Sequence, residues 1–136
     1  MIRWAHKVGA GLYVLWGLLH LMASWKVYLL AEEVPTDLAL AHGRLLQSAW
    51  NLAFLALFAI VVALTLNWKN DRVGYWLNLA VVSGTDIGFV VFILGPGLIP
   101  LFPGIAGPVL WILAALCTTI GYRLAASESS GRRSVY

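Results

Sequence analysis

The sequence predicts an all-α polytopic membrane protein: four transmembrane helices in an up-down four-helix bundle, with both termini cytoplasmic. Three observations carry that prediction. Of 136 residues, 61% are hydrophobic and only 11% charged, against about 25% charged residues in an ordinary soluble domain. The charges are clustered, so that Val8–Trp25, Leu45–Trp68 and Ile87–Tyr122 contain no Asp, Glu, Lys or Arg; charge-free apolar runs of about 18 residues or more read as membrane spans. Most basic residues, finally, fall on one side of the hairpins that this pattern implies. A soluble globular domain is excluded, because too little polar surface is available to cover a core. A nucleic-acid partner is excluded as well, despite a pI near 9.3, and the lipid bilayer is the first expected partner.

The first span is predicted over residues 8–28, preceded by Arg3 and Lys7. A basic start before an apolar stretch also describes a signal peptide. Ser24-Trp25-Lys26 is a poor small-residue cleavage site, however, so the segment reads as a retained helix. Residues 29–43 read as a polar hairpin loop with Glu32, Glu33, Pro35, Asp37 and His42, in which Thr36 or Asp37 would cap a short interfacial helix. The second span covers 45–66 and ends in the polar turn Asn67-Trp68-Lys69-Asn70-Asp71-Arg72. The third covers 73–94 and is interrupted by one charge, Asp86. Three prolines and three glycines between Gly95 and Gly104 stop it. The fourth covers 106–124, which makes residues 1–126 a single transmembrane domain and 127–136 a disordered cytoplasmic tail. Helices of about 20 residues are about 30 Å long and match the core of a bilayer.

Positive charge sets the orientation. With four spans, the N-terminus, the 67–72 turn and the tail share one side, which carries Arg3, Lys7, Lys69, Arg72, Arg123, Arg132 and Arg133. The other side carries only Lys26 and Arg44. Seven against two places both termini inside, in the cytoplasmic membrane of a bacterium or archaeon. Trp4, Trp68, Tyr75, Trp76 and Tyr122 would belt the inner interface, and Trp25 and Tyr28 the outer one.

Asp86 is the residue to explain. It follows Val73 by 13 positions, about 20 Å from the cytoplasmic end of its span. A carboxylate at that depth costs on the order of 3 kcal/mol, and such groups are normally paired or functional. His20 reaches about 18 Å from the same side, and Asn51 about 9 Å below the outer end of the second span. Arg44, Gln47, Ser48 and Asn51 follow i, i+3, i+4, i+7 and share one helix face. Asn78 and Asp86 share a stripe on the third span, and Trp16, His20 and Ser24 another on the first. Lipid cannot satisfy such groups, so they are expected to converge inside the outer part of the bundle. His20, Asn51 and Asp86 read either as hydrogen-bonding glue between the helices or as part of a polar pocket open to the outer side, with Arg44 and His42 at its mouth and His20 and Asp86 at its floor.

No cofactor is predicted. His6 and His20 are about 21 Å apart along one helix, and a haem or metal ion through His20 would lack a ready set of partners. A site built from His20, His42 and Asp86 would need the outer loop to fold inwards. The single Cys117 makes no disulfide within the chain. Gly9, Gly11 and Gly17 read as close-packing positions, while Gly84 and Gly88 flank Asp86 as a pair that would seat another helix or let the span bend. The uncharged segment Gly95–Gly104 reads either as an interfacial anchor or as a lid for a lipid-like ligand.

Four spans in a chain of this length, the segment Gly43-Arg44-Leu45-Leu46-Gln47 opening the second span, and cytoplasmic termini together resemble the small four-helix membrane proteins of the DoxX-like kind. The resemblance is one of architecture and implies an accessory subunit or a quinone- or lipid-associated role. Small multidrug transporters differ at the informative place, since their essential carboxylate lies in the first helix, where this chain has His20 and no acid. The leading expectation is an accessory protein that binds a small amphipathic, lipid- or quinone-like molecule, or a partner subunit, at the polar cluster. The second is a small proton-coupled transporter or channel using Asp86 and His20, which would need a homo-oligomer or larger membrane complex. The third is a membrane enzyme with the same two residues as acid–base groups, which would need a pocket of several hundred Å³.

Overall fold

The computed structural model describes residues 4–133, with side chains described through Ser127. Arg3, residues 134–136 and the side chains of Arg132 and Arg133 therefore lie outside the described residues. The chain is all-helical: α1 (Ala5–Glu32), α2 (Ala39–Thr65), α3 (Arg72–Phe89), the single turn α4 (Leu101–Gly104) and α5 (Ala106–Arg133). A 3-10 turn, Thr36–Leu38, precedes α2, another, Asn67–Lys69, follows it, and a π turn, Val90–Leu94, extends α3. Four segments are long and apolar enough to cross a membrane: Ala5–Glu32, Thr36–Lys69, Arg72–Leu94 and Ala106–Ser127.

Two boundaries differ from expectation. The first hairpin is much shorter than 29–43, because α1 continues to Glu32 and α2 already starts at Ala39. Leu29-Leu30-Ala31 and Ala39-Leu40-Ala41 are strong helix formers and carry the two helices towards each other. The short turn follows Pro35, but neither Thr36 nor Asp37 caps it through its side chain. Instead the His42 Nδ1–H donates to the Ala31 carbonyl at 2.9 Å and clips the start of α2 to the end of α1. At the other end, α5 runs on to Arg133, where a disordered tail was predicted from residue 127. Arg123-Leu124-Ala125-Ala126 favours helix and no glycine or proline intervenes before Gly131.

The turn between α2 and α3 is built as its polar sequence suggests. Asn70 takes the left-handed conformation (φ 57°) that reverses the chain after the 3-10 turn. Asp71 then caps α3, its side chain accepting from the Val73 and Gly74 amides at 2.8 and 3.2 Å. Asn70 Nδ2 donates to the Gly121 carbonyl at 3.0 Å, tying this turn to α5.

α1 packs along both α2 and α5, and α3 packs on the same two helices. The seams are made of small residues. Ala49, Ala56, Ala59 and Ala63 are the buried alanines of α2. A Cβ on Gly17 would fall 3.0 Å from the Ala56 carbonyl, and one on Gly9 would fall 2.9 Å from the Thr118 amide. Such close backbone approach gives membrane helices the van der Waals contact that holds them together in lipid. α1 and α3 meet at the centre through large side chains, in a core of Tyr13, Trp16, Ala59, Ala63, Val82 and Ala114. The outside is apolar, with Trp50, Phe54 and Phe92 among many exposed hydrophobic side chains.

Candidate functional site

The centre of the molecule holds one polar constellation, assembled from three helices. On α1, Trp16 and His20 are one helical turn apart and both buried, as is Asp86 of α3, whose exposure is zero. The Trp16 Nε1–H donates to Asp86 Oδ2 at 2.9 Å. The His20 ring stacks on the Trp16 indole with centroids 3.8 Å apart. His20 Nδ1 lies 2.9 Å from the Trp16 carbonyl, and since a carbonyl only accepts, Nδ1 carries a hydrogen. His20 Nε2 then faces Asp86 Oδ1 at 3.4 Å, longer than a settled hydrogen bond of about 2.9 Å. Oδ1 has no other hydrogen-bond partner.

With Nδ1 bonded to the Trp16 carbonyl, Nε2 is the ring nitrogen left to face Oδ1, and one hydrogen shared between them would join the imidazole to the carboxyl group. Asp86 is wholly buried there and the His20 side chain is 10% exposed. The fourth wall is Gly107, in the first turn of α5. A Cβ there would lie 3.1 Å from His20 Cε1 and 3.8 Å from Asp86 Oδ1, so a larger residue would crowd the imidazole. The positive end of the α5 dipole consequently lies beside the carboxyl group.

The remaining predicted residues do not join this constellation. Arg44, Gln47 and Asn51 do share a face with Ser48, and Arg44 Nη1 donates to Gln47 Oε1 at 3.0 Å, but all four side chains are exposed. The face that α2 turns inward is the alanine ladder, because only small side chains permit its close approach to α1. Ser24, expected beside His20, is buried and donates to the Ala49 carbonyl across that seam. His42 stays at the first hairpin with Ala31. Asn78 is fully buried, yet its Nδ2 donates to the Ala59 carbonyl at 3.1 Å and to Asn67 Oδ1 at 2.8 Å, two turns from Asp86. It joins α3 to α2 and the turn between them. The expected pocket with Arg44 and His42 at its mouth is thus replaced by a closed pair. Gly84 and Gly88 face open space, with no other helix of the chain seated on them.

Trp16 and Gly107 complete the pair and were not among the predicted site residues. Trp16 had a visible signal, since it lies four residues before His20 on the same stripe; Gly107, beyond the proline-rich segment, had none. Among the described residues, no three His, Cys, Asp or Glu side chains gather where they could hold a metal ion. A separate groove of about 310 Å³ runs between α1 and α2 near the first hairpin, lined by Ser24, Trp25, Tyr28, Leu46, Ala49 and Trp50 among others. It includes neither His20 nor Asp86. Comparison with known protein families, curated proteins and solved structures finds no match, so the DoxX-like resemblance rests on architecture alone.

Proposed function

We propose that this chain is an integral protein of a bacterial or archaeal cytoplasmic membrane, an up-down four-helix bundle with both termini inside, whose activity is linked to proton exchange at His20 and Asp86. The observation that carries this reading is the approach of His20 Nε2 to the otherwise unpartnered, buried Asp86 Oδ1 at 3.4 Å, with both side chains held from behind by Trp16. A pair that keeps its net charge at zero while the proton sits on either partner is suited to passing that proton on. Proton-coupled transport or channel activity is a form of function that uses such a pair. Arg44, Gln47 and Asn51 are exposed, so a binding role at the His20–Asp86 pair would have to do without them.

Infrared difference spectra of the full chain in lipid nanodiscs, taken across a pH step, test the proposal. A carboxylic C=O band assignable to Asp86 should vanish in Asp86→Asn and shift in His20→Gln. Spectra unchanged by both substitutions would sink it.

The α1–α2 groove supports a second reading, in which the protein binds a small amphipathic lipid- or quinone-like molecule as an accessory subunit. Trp25 and Tyr28 stack there with centroids 5.3 Å apart beside the exposed Trp50, which gives an apolar tail flat surfaces to lie on. Mass spectrometry of gently extracted protein should find a bound amphipath that Ala53→Phe, filling the groove, excludes. Identical bound species in both proteins would dismiss this reading.

A further inference from the structure

The exposed stripe on α2 poses a problem that the chain by itself leaves open. Arg44, Gln47, Ser48 and Asn51 lie on one face, and all four are exposed. The outermost, Arg44, can reach water. Asn51 cannot, because it lies about 9 Å below the start of the apolar run at Leu45. Amide groups at that depth need partners that hydrocarbon does not supply. Within the chain, the stripe's polar side-chain contact is that of Arg44 with Gln47 Oε1.

We propose that this stripe is the interface between two copies of the chain, packed α2 against α2 about a twofold axis along the membrane normal. The choice of a second copy follows from the chemistry of the stripe. In such a pair each residue meets its own counterpart at the same depth. Asn, Gln and Ser each carry both a donor and an acceptor, so like can bond to like with neither group orphaned. Arg44 is a donor only, and it is the one member placed at the aqueous end, where water screens two facing guanidinium groups and its own Gln47 accepts from it. One turn below Asn51, Phe54 is 59% exposed and adds apolar contact on the same face. The proposal rests on the membrane reading alone and is independent of proton exchange at His20 and Asp86.

The test uses the full chain carrying Cys117→Ser in native-lipid nanodiscs or whole membranes. Phe54→Cys should give a disulfide-linked dimer on mild oxidation. Leu116→Cys, on the exposed face of α5 at 56% exposure, should not. In dilution experiments by single-molecule fluorescence in lipid, Gln47→Leu with Asn51→Leu should weaken dimerisation about tenfold. Both changes place apolar groups towards lipid, so the monomer fold is retained. A monomer at every dilution, equal cross-linking at both cysteines, or dimerisation indifferent to the double substitution would each overturn the proposal. Cross-linking of Phe54→Cys to an unlike protein would overturn the choice of partner.

Discussion

Replacing Asp86 by asparagine separates the structural demand on this side chain from the chemical one. The amide oxygen can accept from Trp16 Nε1–H as Oδ2 does, and its nitrogen can donate to His20 Nε2. Asp86→Asn should therefore keep the fold, with thermal stability in nanodiscs close to the parent, while losing proton exchange. Asp86→Leu removes both partners and leaves the Trp16 N–H and His20 Nε2 unsatisfied, a loss of about 1–3 kcal/mol for each buried group. A thermal melt comparing the two variants decides the point: equal destabilisation would mean that hydrogen bonding does not hold the pair. Trp16→Phe keeps much of the stacking but removes the donor, and should cost about 1 kcal/mol. The pair itself was legible in the sequence, as charge and imidazole at matching depth in the first and third spans. The third member was legible only as a neighbour of His20 on one stripe, since a tryptophan in an apolar span reads as core until its N–H is seen to point at a carboxylate.

At the scale of the helices, glycine and aspartate placement carries the argument. A Cβ on Gly9 would lie 2.6 Å from Thr118 Cγ2 and 2.9 Å from the Thr118 amide. Gly9→Ala should push α1 from α5 and cost about 1–3 kcal/mol, read as a lowered midpoint in a denaturant or thermal melt. Asp71→Ala should cost about 1 kcal/mol by uncapping α3, and an unchanged melt would show that the Asn70 contact with α5 is sufficient. The lengths and order of the helices were legible from charge-free runs and from the glycines and prolines after Leu94. The facing of α2 was not. Spacing shows that Arg44, Gln47 and Asn51 share a face but does not say whether that face meets α1 or lipid. Ala49, Ala56, Ala59 and Ala63 held the answer, because close approach selects the smallest side chains.

For the whole molecule, the decisive measurement is topology. Reporter fusions at either terminus should behave as cytoplasmic, while a cysteine replacing Glu33, in a Cys117→Ser background, should label from outside with a membrane-impermeant thiol reagent. Opposite results at both places would invert the bundle, and different sides for the two termini would exclude four spans. The central position of α1 also has a consequence for the order of synthesis. α1 leaves the ribosome before α3 and α5, yet the acceptor for its indole N–H and the partner of its imidazole belong to α3, and the glycine that closes over them belongs to α5. The hairpin of α1 and α2 can form early, through the alanine seam and the bond from Ser24 to the Ala49 carbonyl. Until the third span arrives, Trp16 and His20 must wait in lipid without their acid. The site is therefore finished only with the last helix, so a chain cut short at any turn inserts with the site unmade.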